Sequence, residues 1–322
     1  MAQTMSEASR WLEKNYKHDK FFLYIDTFDP HEPWDPPQWY VDMYDLGYKG
    51  ESVFYPRYWY CDYLTPEELK HCRALYAGEV SLVDCWIGKL LQKIENLGLW
   101  ENTAIFFTSD HGFLHGEHGV IGKAIYNPPW AKGRSNAFSY APLYEEIAHI
   151  PLIVHIPKIR EKRHCKALVQ LTDLMPTILE LAGVEIPDTV QGKSFLPLLK
   201  GEVKSLRKFA VSSPSIIYGG KGNTKTTITT ESGWSLLLTA KYESTEEMES
   251  RQVDDRPKKI ASLKELGEHH KYQTELYFLP KDPKQKRNLI NENKDIAQKI
   301  HQDYIRFLEK INTQEKIIDY WR

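Results

Sequence analysis

Cysteine is scarce: Cys61, Cys72, Cys85 and Cys165 are the four in 322 residues, and no two stand in a C-x-x-C spacing. That excludes a disulfide-stapled scaffold, a zinc knuckle and a thioredoxin-type redox pair. An excess of one charge is also missing. Lys and Arg number 42 against 44 Asp and Glu, for a net charge of −2, so there is no electrostatic footprint for nucleic acid. No run approaches the roughly 18 apolar residues that span a bilayer. Met1 to Lys20 is polar and amphipathic, without the apolar core of a signal peptide, and no N-x-[ST] acceptor occurs. Taken literally, the chain is one kept in the cytoplasm. Internal repeats are absent as well.

What is present belongs to an ordinary folded protein. Hydrophobic residues make up 41% and charged residues 27%, close to globular averages. The length suits one large domain or two of ordinary size, burying about three quarters of the unfolded surface. The 19 Tyr and 9 Trp suit either an aromatic core or a carbohydrate-facing surface.

Ser6 to Tyr16 predicts a short helix. The apolar run Phe21-Phe22-Leu23-Tyr24-Ile25 predicts a buried strand, and it breaks at a rigid loop with Pro30, Pro33, Pro36 and Pro37. Thr65-Pro66-Glu67-Glu68 is a helix start with N-cap Thr, Pro at the first position and Glu at the third. Leu69, Cys72, Tyr76, Val80, Val83, Ile87, Leu90 and Ile94 then form one helical face, with Gly98 as C-cap. Buried strands are expected at Thr103–Thr108 and Leu152–Ile156, and a helix over 173–182 ending at Gly183. Strand–helix–strand order with short links predicts a mainly parallel sheet covered by helices. After about residue 200, segments 209–218, 226–240 and 274–279 read as antiparallel strands and 293–311 as a closing helix. Residues 243–271 read as a charged, exposed insertion. The expected division is a domain over 1–204 and an α+β subdomain over 205–322.

Chemistry concentrates after the second strand. Between Asp110 and Lys123 stand three His, two carboxylates, four Gly and a Lys. Asp110-His111 is placed where α/β sheets bind ligands, outside the carboxyl end of a strand, and both side chains suit a metal. The alternative is an Asx-type turn that merely ends the strand. Lys123 supplies a point charge for an anionic oxygen, and the glycines allow close backbone approach. His31, fixed between Pro30 and Pro33, suits proton transfer or anion contact; alone it would be a surface histidine. Two strands delivering His-rich loops from the same end favour the functional alternative. Gly116 to Lys123 is no phosphate loop, because it has one residue too many and Ala124 replaces Ser/Thr. No G-x-S-x-G elbow is present.

The stretch from Tyr76 through Ser109-Asp110-His111-Gly112 to Leu143-Tyr144-Glu145-Glu146-Ile147-Ala148-His149-Ile150-Pro151-Leu152 resembles the formylglycine-dependent sulfatases of the alkaline phosphatase superfamily. Phe21 to Pro33 is similar to that family's strand ending in P-H-x-P. Leu171-Thr172-Asp173-Leu174-Met175-Pro176-Thr177 through Gly183 to Gly192-Lys193-Ser194 is similar to its D-x-x-P-T…A-G…G-x-S segment. Glu275-Leu276-Tyr277 with Asp282-Pro283 and Asn288-Leu289 is similar to its C-terminal signature. The match is collinear over nearly the whole chain.

The resemblance implies an α/β alkaline-phosphatase/sulfatase-like fold with a small C-terminal α+β subdomain, and hydrolysis of sulfate esters, sulfated carbohydrates among them. It implies metal ligands at Asp110 and His111, a divalent cation for which calcium is the expectation, sulfate contacts from His31 and Lys123, and a substrate contact from His118. A phosphodiesterase or phosphonate hydrolase of the same superfamily is the alternative enzyme; a truncated, non-catalytic binding protein is the alternative of another class. The family's opening strand, its paired acidic metal ligands and its C-x-P-S-R segment, whose Cys becomes formylglycine, have no counterpart here. None of the four cysteines is followed by x-Pro-Ser-Arg, and Ser212-Ser213-Pro214-Ser215-Ile216 lacks the Arg. The expectation is a chain inactive by itself, with an unpaired sheet edge, and prone to self-association or dependent on a missing N-terminal half. Complete family members are often periplasmic, secreted or lysosomal.

Overall fold

The computed structural model describes residues 1–126, 138–157, 159, 164–213, 225–240 and 273–322. The chain falls into two compact units. One consists of Met1–Thr108, His115–Gly122 and Leu152–Arg160; the other of Ser109–Leu114, Lys123–Pro151 and Glu161–Arg322. No helix among the described residues is long and apolar enough to cross a membrane.

In the first unit, α1 spans Ala2–Asn15 and α2 spans Pro66–Asn96. The start of α2 follows from its sequence. Thr65 Oγ1 accepts the Glu68 N–H at 3.2 Å and Glu68 Oε2 accepts the Thr65 N–H at 2.8 Å, a complete capping box with Pro66 at the first turn. Its buried stripe is His71, Cys72, Leu75, Glu79, Val83, Leu90 and Ile94. Met5, Ala8 and Leu12 of α1 close on Leu90, Ile94 and Leu99, and Phe21, Leu23, Ile25 and Ile105 pack on that cluster. The strands are β1 (Trp59–Tyr60), β2 (Ile105–Thr108), β3 (Val120–Gly122) and β4 (Leu152–His155). β1 pairs antiparallel with β3, Trp59 opposite Ile121.

Two expectations about these strands need correction. The ladder between β2 and β4 is antiparallel, from Ile105 opposite His155 to Thr108 opposite Leu152. Strand–helix–strand order predicts parallel neighbours only where a helical crossover joins them. Between Thr108 and Leu152 the longest helix among the described residues is the four-residue α3, Glu145–Ala148. Phe21–Ile25, in turn, runs extended without a ladder among the described residues. Its side chains alternate as a strand's do: Phe21, Leu23 and Ile25 meet the core, while Phe22 is 69% and Tyr24 75% exposed. β2 and β4 are half-buried instead of buried, with Ile153 65% exposed. A continuous apolar run signals a strand but cannot say whether both of its faces are covered.

In the second unit, β5 (Phe209–Ser212), β6 (Lys225–Thr230), β7 (Trp234–Thr239) and β8 (Glu275–Phe278) form one antiparallel sheet in the order β8-β7-β6-β5. The expected strand over 226–240 is a hairpin, turned at Gly233 with φ +90°. A left-handed φ here suits glycine. Ile228, Leu236 and Leu276 share one sheet face and pack against Ala297, Ile300, Tyr304 and Leu308 of the closing helix α5 (Lys294–Lys310), with Ile318 and Trp321. The steps of three and four along α5 make the apolar stripe that meets the sheet. The opposite face carries Lys225, Thr227, Ser235, Leu237, Glu275 and Tyr277. Helix α4 (Leu174–Ala182) ends at Gly183, φ 69°, as its sequence predicts. Before it, the buried Asp173 carboxylate takes a fork of hydrogen bonds from Arg207, one at 2.6 Å, and the Lys193 N–H at 2.8 Å. The charged segment 243–271 lies outside the described residues, as does the 214–218 part of the strand expected over 209–218.

Candidate functional site

Asp110 and His111 stand in a tight turn directly after β2. Asp110 Oδ1 accepts the His111 backbone N–H at 2.8 Å, while the N–H two residues on, that of Gly112, goes to the Ile147 carbonyl, so the bond of an Asx-type turn is not made. The other oxygen, Oδ2, stands 3.3 Å from His111 Nε2, with the two side chains 79% and 41% exposed. His111 Nδ1 lies 3.0 Å from the Gly112 carbonyl. An Nδ1–H donating there leaves Nε2 with its lone pair toward the carboxylate. In that tautomer both atoms are acceptors aimed at one spot, whereas the other tautomer closes the contact by itself as an Nε2–H···Oδ2 hydrogen bond. Two ligands about 2.4 Å from one calcium ion and at right angles stand about 3.4 Å apart, which is the spacing of this pair. The pair therefore fits as two neighbouring ligands of a cation. It makes only part of a shell. Calcium takes about 6–8 oxygens, and among the described residues no group of three or more His, Cys, Asp or Glu side chains could hold a metal ion.

The turn is held from within the second unit. Gly112 N–H donates to the Ile147 carbonyl at 2.9 Å, and a Cβ on Gly112 would overlap the Glu146 carbonyl oxygen. Only glycine permits that approach. The segment 143–147 is tied in turn to the polar face of the C-terminal sheet. Tyr144 Oη donates to Glu275 Oε2 at 2.9 Å, Glu145 N–H donates to Gln285 Oε1 at 2.7 Å, and Thr227 Oγ1 donates to the Leu143 carbonyl at 2.7 Å. Gln285 is buried and donates from Nε2 to Ser235 Oγ at 3.2 Å. Lys225, fully buried, sits 2.9 Å from Glu275 Oε1. Burial lowers its amine's pKa, and the Glu275 charge opposes that shift.

Lys123 is half-buried in the second unit, and its carbonyl accepts the Ala141 N–H at 3.2 Å. Trp130 and Arg134, in the segment between Lys123 and Leu143, lie outside the described residues. His118 belongs to the first unit and has φ 55°, between Gly116 at φ 101° and Gly119 at φ 73°. A non-glycine residue in the left-handed region carries strain of order 1 kcal/mol, and such positions concentrate at functional sites.

His31 also lies in the first unit. Its ring is tilted against Phe28 with centroids 4.2 Å apart, and Nδ1 lies 2.8 Å from the Glu32 carbonyl. Donation from Nδ1 presents Nε2 outward as the acceptor. The proline loop is held by buried contacts. Trp34, 1% exposed, donates its indole N–H to the Pro30 carbonyl at 3.0 Å, and the buried Glu32 carboxylate accepts from Tyr58. Beneath the loop is a residue that no sequence motif marks. Glu79, on the buried stripe of α2, accepts the Asp35 N–H at 3.1 Å. Burial, reinforced by the Asp29 and Asp35 charges, pushes its carboxyl up to about 7. A glutamate at the i+3 position from Tyr76 on an apolar face was the available signal.

The sulfatase family model matches residues 1–184, more than half of the chain. An arylsulfatase from Clostridium perfringens is 26% identical over 226 residues, covering 64% of this chain and 43% of that protein. The chain therefore spans under half of that relative's length. Among solved structures, a sulfatase-like protein from Bacteroides fragilis superposes with a TM-score of 0.70 at 19% identity, over 100% of this chain and 60% of that one. A structure in complex with its substrate D-glucosamine-2-N,6-O-disulfate gives 0.66 at 19% identity, over 98% and 70%. The two structural likenesses carry the fold: α/β, with the C-terminal antiparallel sheet and closing helix.

Proposed function

The chain belongs to the sulfatase family, and from that premise we propose that it is the sulfate- and metal-holding portion of a sulfate-ester hydrolase acting on a sulfated carbohydrate. The observation that carries this reading is the exposed Asp110–His111 pair, with acceptor atoms 3.3 Å apart after the strand and the backbone fixed by Gly112. The sugar class is supported by the disulfated glucosamine bound to one structural neighbour.

The roles follow from the chemistry of each group. Asp110 and His111 would hold a divalent cation, calcium by the hardness of a carboxylate ligand. Bound there, the cation supplies positive charge against the sulfuryl oxygens. Lys123 adds a mobile ammonium to the same oxygens. His31, donating from Nδ1 to its own loop, keeps Nε2 for the sulfate or for the proton of the leaving sugar oxygen. His118 contacts the sugar. The attacking nucleophile, a formylglycine in this family's chemistry, has no precursor in these 322 residues, since no cysteine stands in C-x-P-S-R. The chain by itself therefore binds without turning over.

The test has two arms. Purified 1–322 should leave an aryl sulfate unhydrolysed, yet show saturation-transfer NMR contact with glucosamine-6-sulfate that Lys123→Ala weakens. Turnover abolished by Lys123→Ala would overturn the claim of inactivity. Equal contact with unsulfated glucosamine, or tighter contact with a phosphonate monoester, would overturn the sulfate assignment.

A further inference from the structure

A separate constellation lies wholly in the first unit, on residues that no part of the sulfate chemistry uses. Ser52 Oγ is 3.1 Å from His71 Nε2, and His71 Nδ1 is 3.2 Å from Asp45 Oδ2. We propose that Asp45, His71 and Ser52 form a second active site, a serine-hydrolase relay that cleaves small carboxylic esters with apolar or aryl groups.

The order of the three groups is that of a nucleophile, a base and an orienting carboxylate. Such a relay is recognised by geometry and not by sequence position, so the missing G-x-S-x-G elbow does not exclude it. Exposure follows the roles. Ser52 is open to solvent, while the His71 and Asp45 side chains are only 4% and 8% exposed. Asp45 is kept ionised by its partner Lys70, which lowers its carboxyl below the usual range. The Tyr48 ring stacks on the imidazole at 3.8 Å and 13°, fixing the ring plane. Tyr48 Oη donates to the Glu51 carbonyl at 3.1 Å, closing the same loop. His71 itself is carried on the second turn of α2, a rigid support. Along the segment 46–55 that carries the serine, Leu46 (81%), Phe54 (49%) and Tyr55 (62%) are exposed, apolar groups to receive the acyl or aryl part.

The chemistry balances. Ser52 Oγ attacks the ester carbonyl as His71 Nε2 takes the hydroxyl proton, and Asp45 stabilises the imidazolium through Nδ1–H. The tetrahedral species collapses, its carbon–oxygen bond breaks, and His71 returns the proton to the departing alcohol. A water molecule, deprotonated by His71, then cleaves the Ser52 ester. The net reaction is ester plus water to acid plus alcohol.

The experiment is labelling of the full chain with a fluorophosphonate, in which fluoride leaves phosphorus as the Ser52 oxygen bonds to it, together with hydrolysis of p-nitrophenyl acetate. One adduct is expected, mapped to Ser52. It should disappear in Ser52→Ala, persist in Ser232→Ala, and form at least about 100-fold more slowly in Asp45→Asn. Ser52 is exposed, so Ser52→Ala tests the site even if His71 variants misfold. A folded protein without an adduct at Ser52, or equal labelling rates in Asp45→Asn and the parent, would overturn the proposal. The second result would leave the same contacts as a clasp between the loop and α2. Aryl sulfates play no part in these assays, so the outcome is independent of the sulfatase reading.

Discussion

The two pleated regions of the molecule make opposite use of the same apolar residue types. In the C-terminal sheet Ile228, Leu236, Leu237 and Leu276 are each at most 1% exposed, because α5 covers one face and a polar network fills the other. In the first unit β2 and β4 form a two-stranded ribbon in which Ile153 is 65% exposed, and the extended stretch before it leaves Phe22 and Tyr24 69% and 75% exposed. Two strands bury little by themselves. The lesson is that apolar content does not locate a core; coverage on the second face does. The C-terminal sheet carries its own cover, whereas the ribbon and the extended stretch present an apolar flank of the kind that invites association.

The sharpest way to break this contrast is truncation. Leu276→Ala, at 0% exposure, should cost about 2–5 kcal/mol. Ile153→Ala, at 65% exposure, should change stability by no more than about 0.5 kcal/mol. Denaturant midpoints for the two variants decide it, and similar losses would mean the ribbon is covered in solution.

Next in size is a pH effect that belongs to the first unit alone. An unfolded glutamate titrates near 4.5, while Glu79 in the fold titrates at about 7. Between these values the folded chain holds a proton that the unfolded chain has released, so stability falls as pH rises through this window and levels off above it. A shift of this size corresponds to about 3 kcal/mol. Glu79→Gln should flatten the profile and stabilise the protein at pH 8, measured by urea unfolding from pH 5 to pH 8; an unchanged slope would assign the effect elsewhere.

A smaller effect concerns association. Phe22→Asp and Ile153→Lys together should reduce self-association in sedimentation velocity while shifting the melting temperature by only a few degrees. Persistence of the same oligomers would move the sticky surface away from the ribbon and the extended stretch. The smallest effect is expected at Asp110. A partial shell with millimolar affinity gives only about 0.4 kcal/mol at an equal calcium concentration. Asp110→Ala should abolish that small rise in melting temperature, and without calcium, where only exposed bonds such as that to the His111 N–H are lost, it should change stability by no more than about 0.5 kcal/mol. A large rise lost in Asp110→Ala would reveal a fuller shell than the pair supplies.

Much of this architecture was legible in the residues, and the gaps have physical causes. The start of α2 is written in Thr65-Pro66-Glu67-Glu68 because capping is local chemistry, and the turn at Gly183 is legible for the same reason. The stripe of α5 and the antiparallel C-terminal strands show in their periodicity. The pairing of β2 with β4 is a relation between distant segments, and Phe21–Ile25 showed its apolar run but not which face would remain bare. At the site, Asp110, His111 and Lys123 were visible as types clustered in sequence. Glu79 was hidden because it sits singly on an apolar face. Asp45, His71 and Ser52 were hidden because a relay spread over separate segments has no spacing rule.

Lys225 offers one more consequence. Its amine is fully buried on the polar face of the C-terminal sheet and paired with Glu275, whereas most of the other lysines among the described residues are exposed. Acetic anhydride in a brief pulse will modify those lysines at once and reach Lys225 only when the sheet opens. The fraction of peptide carrying acetyl-Lys225, followed by mass spectrometry, is thus a clock for the opening of the C-terminal sheet, readable in a crude mixture without denaturant or fluorescence.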